Sequence, residues 1–338
     1  MGKLVALSRQ HDGRWIGILG KASFRAIPDK AQVSFFAPDF SLNSQAPWIV
    51  AEESFLWDGP TLRGFLHSKM PQQNLSLHLL AEPDYSSFSS VHQEILKLIQ
   101  SNELKKIVPT VFSKWNFVGD LGSGALALLD SSANLWPYGF ELLNEGMLGL
   151  TPEVLFEKRD LKVKTQAVAG TQKLTGPSLF LDPKEMLEHE LVVQDLTAQL
   201  KDLGQVEVAK TEERPAGQMK HLVTDITLEL DEDVEFIDLV KRLHPSAALG
   251  GFPRDKARAW FAAHGDLQIR KRFGAPFGWR LPNGDGVCLV AIRNLQWQGN
   301  EALIGSGCGV VEGSVAEREW QELALKRMAI VNALKVNL

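Results

Sequence analysis

Cysteine is scarce: the 338 residues include only Cys288 and Cys308. No CxxC pair or Cys/His spacing accompanies them. A disulfide framework and a cysteine-based zinc site are therefore excluded, and two reduced, buried thiols are expected. A basic excess is also missing. The formal net charge is −5, which argues against a nucleic-acid-binding surface but leaves room for a local basic pocket. No run of 18 apolar residues occurs, so no membrane span is expected. The opening MGKLVALSRQHDGRW lacks the apolar core and cleavage site of a signal peptide. A cytoplasmic protein is the resulting expectation. Internal repeats, low-complexity tracts and Pro/Gly/Ser linkers are absent too, which favours one large domain over two separate ones. Hydrophobic residues make up 44% of the chain, enough to bury a sizeable core.

What is present reads as strands, then a helix, strands, helices, strands and a last helix. Residues 1–90 read as short strands and turns: RWIGILG, QVSFFAP, PWIVAEES and LSLHLLAE. Ser90 is placed to cap a helix over VHQEILKLIQSNEL, whose Val91, Ile95, Leu96, Leu98 and Ile99 form one apolar face. The strand KKIVPTVFSKW follows, interrupted by Pro109. Further strands fall at YGFELL, GMLGL, EVLFEKRD and LKVKTQAVAG. A long helix starts at Asp182-Pro183, with Glu185 in capping-box position, and runs to residue 201 or 202. HLVTDITLEL reads as a strand, and EFIDLVKRL and DKARAWFAAHG as helices. GVCLVAIRNLQWQG and EALIGSGCGVV read as a strand hairpin. The final helix starts at Ser314, with Glu317 three residues on, and reaches Leu334. Strands and helices do not alternate strictly, so a doubly wound parallel sheet is disfavoured. The expected class is α+β, with mainly antiparallel sheets flanked by helices.

Five segments can carry chemistry. GSGCGVVEGS has glycines at 305, 307 and 309 near a helix start, which suits either an anion-binding backbone or a tight turn. EREWQELALKR puts Glu319, Glu322 and Lys326 on one helix face; an exposed Glu–Lys pair is the simpler reading of this spacing and a cation site the other. KEMLEHELVVQDL crowds Glu185, Glu188, His189 and Glu190 on one helix. Such oxygen ligands suit Mg2+, and no second histidine stands at 193 to make a zincin motif. RLHPSAALGGFP is a compact loop containing His244. In KKIVPTV, strand alternation allows only one of Lys105 and Lys106 to point inward. An inward lysine would be a candidate base.

Taken together and in this order, the segments resemble the chorismate-binding enzymes: anthranilate, aminodeoxychorismate, salicylate and isochorismate synthases. The stretches carrying the resemblance are LTPEVLFEK, AVAGTQK, EHELV, HL-T, LHPSAALGGFP, FGAPFGW, AIRN, GSGCGVV and EWQELALK. They span roughly residues 90–335, while residues 1–85 are less recognisable. The resemblance implies a single α+β domain over residues 1–338, with two antiparallel sheets packed in the middle and helices outside. Within the family, LHPSAALGG and Lys106 look like the isochorismate synthase form. The chain departs from the family pattern at Val111 and Gln172, both positions where arginine is usual, and in GSGCGVV, which replaces AGAGIV.

The resemblance also implies roles. Lys106 would activate water as a base, and Glu153 would protonate the leaving hydroxyl. Mg2+ would be held by Glu190 and Glu322, with Glu188 and Glu319 as further ligands. The substrate chorismate would be bound by Gly170, Thr171, His244, Ala248, Phe273, Arg293, Gly307 and Lys326. No nucleic acid, membrane or obligatory protein partner is implied. Salicylate synthase, anthranilate synthase component I and a non-catalytic binding protein of the same family stand as alternatives.

Overall fold

The computed structural model describes residues 2–69 and 75–335. Every ladder among the described strands is antiparallel. Hydrogen bonds join 17 strands into one continuous network, and a separate pair joins Lys106–Ile107 to Gly251–Phe252.

The layering follows from side-chain alternation. In the strand Leu4–Arg9 all six residues are buried, so both of its faces are covered. Leu4 and Leu7 enter a cluster shared with Leu62 and Leu66, Leu128, and Ile330 and Val331, from the helices Gly59–Lys69, Leu121–Leu128 and Ala316–Leu334. Val5 and Ala6 enter a second cluster with Ile16, Ile49, Phe140, Phe277 and Leu289, which is built from strands. A third cluster packs Phe156, Ala167 and Ile226 against Val192 and Leu196 of the helix Pro183–Leu200 and Leu239 of the helix Phe236–Leu243. Helices thus cover the outsides of a strand-on-strand core. The expected α+β class with packed antiparallel layers is observed, although the layers are joined edge to edge in one network.

Several local readings shift. The helix expected to start after Ser90 is Tyr85–Gln100, capped by Asp84, whose carboxylate accepts from Ser87 N–H. Pro109 does split its strand, into Lys106–Ile107 and Thr110–Val118. Asp182 caps the helix Pro183–Leu200 as expected. Glu185 does not complete a capping box there, because its carboxylate accepts instead from Thr171 N–H at 2.8 Å. The last helix starts at Ala316, not Ser314, and Glu317 accepts from Tyr85 Oη–H at 2.6 Å. The helices Gly59–Lys69 and Leu121–Leu128 are not announced by the local sequence pattern. The strand Leu4–Arg9 and the pair Gly204–Val208 and Glu212–Ala216 are likewise unannounced. No helix among the described residues is long and apolar enough to cross a membrane.

Candidate active site

The strand Lys162–Lys173 pairs with Met219–Leu230 along most of its length, but the register slips between Ala169 and Thr171. Gly170 sits in that slip with φ +72°, a conformation suited to glycine. The bulge turns the Gly170 carbonyl towards the His221 ring, 3.0 Å away, and presents Thr171 N–H to Glu185. A cavity opens beside it. Glu153, Gly170, Thr171, Glu188, His221, Ala248, Phe273, Arg293, Gly307 and Lys326 are among the residues lining it.

Lys106 reaches this region from its short strand. It is wholly buried, while Lys105 is exposed, so the alternation resolves as expected. Lys106 Nζ lies 3.1 Å from Glu188 Oε1 but has no hydrogen-bond partner among the described residues. Close approach depends on Gly309: a Cβ there would run into Glu188 Oε1 and come within 2.7 Å of Lys106 Cε. The glycine run therefore seats two charged side chains. The next helix begins only at Ala316, so the run does not lie at a helix N-terminus.

Glu153 stands just past the strand Glu145–Thr151, after Pro152. It is buried. Burial pushes its carboxyl up to about 8, against the opposing pull of Lys106, Lys326 and Arg293. It is therefore largely protonated at neutral pH.

Arg293 occupies the corner between the strands Gly286–Val290 and Asn294–Gln298, with φ +50°. Asn294 Nδ2 donates to Ala291 O and Tyr138 Oη to Ile292 O, which fixes the corner. The guanidinium donates to Ala216 O at 3.2 Å and to His221 Nε2 at 2.6 Å. Burial lowers its pKa to about 10, so it remains charged. His221 is pushed down to about 3 by burial, then by Arg293 and Lys326, and is neutral. Lys326 Nζ donates to Gly307 O at 3.0 Å and pairs with Glu322 at 2.6 Å. Burial lowers the Lys326 pKa, but Glu322 outweighs it and the net shift is upward.

The other end is acidic. Glu185, Glu188, Glu319 and Glu322 come from two helices, and the Lys184 ammonium stands among them. It lies 3.1 Å from Glu185, 3.1 Å from Glu188 and 3.0 Å from Glu319. Burial pushes Glu185 and Glu319 up to about 7, while Lys184 pulls them down. Burial also pushes Glu188 up, but Lys106, Lys184 and Lys326 overcome it, leaving the carboxyl at about 2. Glu319 Oε2 is buried without a hydrogen-bond partner. No three His, Cys, Asp or Glu side chains among the described residues are already closed around a metal position. The donor set nevertheless fits a hard divalent cation: all ligands are carboxylate oxygens, one is orphaned, and four carboxylates outnumber the three lysines paired with them, Lys106, Lys184 and Lys326. Such an ion would require the Lys184 ammonium to withdraw.

Two expected site residues lie elsewhere. Glu190 is exposed. At roughly 100° per residue, it stands some 200° around the helix from Glu188 and cannot join the cluster; Glu185, one turn from Glu188, fills that place. His244 is buried in the core, its Nε2 2.7 Å from Phe40 O and its ring edge-on to Phe40. It supports the loop from below rather than lining the cavity. That loop is further tied by Asp195, which accepts from Ala247 N–H and pairs with Arg254 at 2.6 Å, and by Arg270, which donates to Leu249 O and Val108 O. His221 and Lys184 were not singled out in the sequence. The HL-T stretch was the available signal for His221; Lys184 had none beyond its place on the acidic helix.

The family model described as chorismate binding enzyme matches residues 60–335. The chain is 29% identical over 268 residues to isochorismate synthase MenF of Escherichia coli, covering 75% of this chain and 61% of that protein. It is 31% identical over 204 residues to the salicylate biosynthesis isochorismate synthase of Pseudomonas aeruginosa, covering 56% and 42%. The chain thus spans about half the length of these relatives. The solved Escherichia coli MenF structure superposes with a TM-score of 0.83 at 22% identity, covering 99% of this chain and 89% of that one, and so shares the fold.

Proposed function

Since this chain belongs to the chorismate-binding enzyme family, we propose that it converts chorismate to isochorismate, adding water at C2 while the C4 hydroxyl leaves. One observation carries this reading. A buried amine ion-paired with Glu188, Lys106, and a buried carboxyl held protonated at neutral pH, Glu153, meet at one cavity: Glu153 and Glu188 both line it, and Lys106 stands against Glu188. Addition of water needs a base on one side of the ring and an acid on the other.

With its own proton first passed to solvent, Lys106 Nζ removes a proton from the attacking water, whose oxygen bonds to C2. The ring double bonds shift, the C4–O bond breaks, and Glu153 gives its proton to the departing oxygen, releasing water. One water is consumed and one formed. Proton exchange with solvent restores both groups. Arg293 and Lys326 would hold the pyruvyl carboxylate by charge-assisted hydrogen bonds, and Gly170, Thr171, Ala248, Phe273 and Gly307 would line the ring. Mg2+ is the expected ion for Glu188, Glu319, Glu322 and Glu185, where it would neutralise the ring carboxylate.

The test is incubation of the purified protein with chorismate and Mg2+, without ammonia, followed by product identification. Isochorismate alone is expected. Salicylate with pyruvate would replace the reading with the lyase, and absence of turnover would replace it with a binding protein.

A further inference from the structure

His221 lies in the cavity, but the geometry points to a role other than proton transfer. Its two nitrogens are both engaged. Nδ1 stands 3.0 Å from the Gly170 carbonyl, which only accepts, so Nδ1 carries the proton. Nε2 then holds a lone pair, and Arg293 Nη2, which only donates, approaches it at 2.6 Å. A ring in this state has no free lone pair to take a substrate proton. Its only N–H is committed to a backbone carbonyl, with Thr171 Oγ1 a further neighbour at 3.2 Å.

Arg293 needs such a partner. Its guanidinium carries five N–H groups. The two contacts in the structure, Ala216 O and His221 Nε2, account for two of them among the described residues. Ala216 belongs to the hairpin strand Glu212–Ala216, which among the described residues pairs with one neighbour, Met219–Leu230, the strand that carries His221. His221 is instead anchored by the Gly170 bulge within the central ladder. Arg293 also lines a second, mostly apolar cavity of about 700 Å³, together with Leu135, Leu174, Met219, Leu325 and Met328. A residue that lines two cavities needs a rigid acceptor to hold its guanidinium towards one of them.

We propose that His221 is a positioning residue, locked as the Nδ1–H tautomer, whose Nε2 lone pair keeps the Arg293 guanidinium facing the reaction cavity to grip a carboxylate. This rests on the reading of that cavity as a chorismate site.

Two measurements test it. The first needs no substrate: 15N NMR of histidine-labelled protein, with the His221 signals assigned by their loss in His221→Gln. A protonated Nδ1 and unprotonated Nε2, unchanged from pH 5.5 to 8.5, are expected. An Nε2–H tautomer or an imidazolium overturns the proposal whatever the protein's activity. The second compares His221→Gln, whose Oε1 can accept from Arg293 but cannot shuttle protons, with His221→Met, which can do neither. For Gln, kcat should stay within about threefold and KM rise only a few-fold. For Met, KM should rise more than tenfold, with a smaller change in kcat. If Gln and Met both lose the 10²- to 10⁴-fold in kcat typical of a missing acid–base group, the imidazole is catalytic and the proposal fails. Should the protein not turn over chorismate, the proposed function fails, while the tautomer result still decides the role of His221.

Discussion

Glu153 and Glu188 are both buried, and Lys106 and Lys326 act on both, yet the first is pushed up to about 8 and the second drawn down to about 2. The difference lies in contacts. Glu188 has Lys106 and Lys184 each at 3.1 Å. The Glu153 carboxylate has no ion pair or hydrogen bond among the described residues, and the nearby Arg293 is engaged by Ala216 and His221. Opposite protonation states within one cavity are thus set by which partners come within about 3.1 Å, since net charge in the neighbourhood favours ionisation of both. A pair of titratable groups pushed apart in this way marks an acid and its counterpart.

Removing the chemistry at either side of the ring should give the largest effect. Glu153→Gln and Lys106→Ala are each expected to lower kcat by about 10²- to 10⁴-fold in assays with chorismate. Wild-type activity should also fall as pH rises through about 8. Glu153 donates only when protonated, and the protonated fraction declines above that value; an alkaline limb absent from the profile would remove Glu153 from the acid role.

Closing the gap between the two ends should cost somewhat less. Gly309→Ala puts a methyl group between Lys106 and Glu188, with an expected destabilisation of about 1–3 kcal/mol by overpacking, measurable by denaturant unfolding, and reduced turnover.

The acidic end should respond to pH in its own way. Glu185 and Glu319 have folded pKa values near 7, above the 4.5 of a free glutamate. The folded state therefore binds more protons between these values, and stability is lost as pH rises from about 4.5 to 7. Mg2+ should reverse that loss, raising Tm more at pH 8 than at pH 5, with proton release on binding near pH 6.5. Equal Tm shifts at both pH values would break the link between these carboxylates and the ion.

The smallest effect is expected at Glu190→Ala, which should leave the Mg2+ affinity within about twofold when measured by calorimetry. A loss comparable to that of Glu188→Ala would reverse the assignment of the helix face.

Much of this site was legible in the sequence because its segments follow local rules. Asp182-Pro183 announces the acidic helix, and alternation in KKIVPTV leaves room for only one inward lysine, which the resemblance identifies as Lys106. Glu190 is the misleading residue because EHE offers two carboxylates at i and i+2, and the resemblance does not separate the one on the buried helix face from the exposed one. Glu185, Glu188, Leu191, Val192 and Asp195 are all buried, and their 3.6-residue spacing marks that face. Leu121–Leu128, sequence LGSGALAL, was invisible as a helix. Its two glycines disfavour the state locally, and packing of Leu121, Ala125 and Leu128 into the first cluster stabilises it. The His221–Arg293 contact joins residues 72 apart, and Lys184 meets Glu319 across two helices. Neither pairing leaves a trace in local pattern.

The slip at Gly170 also has a bearing on engineering. Because one extra residue there turns a carbonyl to His221 and an amide to Glu185, the two charged ends share a single indel position. Deleting Gly170 would restore an even ladder, because Ala169 already faces Leu222 and Thr171 faces His221, and would remove both the carbonyl and the kink that the bulge supplies. Thr171 would then lose Glu185 and the imidazole would lose its anchor in the same event. Point changes can retune either end separately, but a change of length at this position acts on both together, so loop grafting that aims to alter only one of them must leave the count of residues between Ala169 and Thr171 intact.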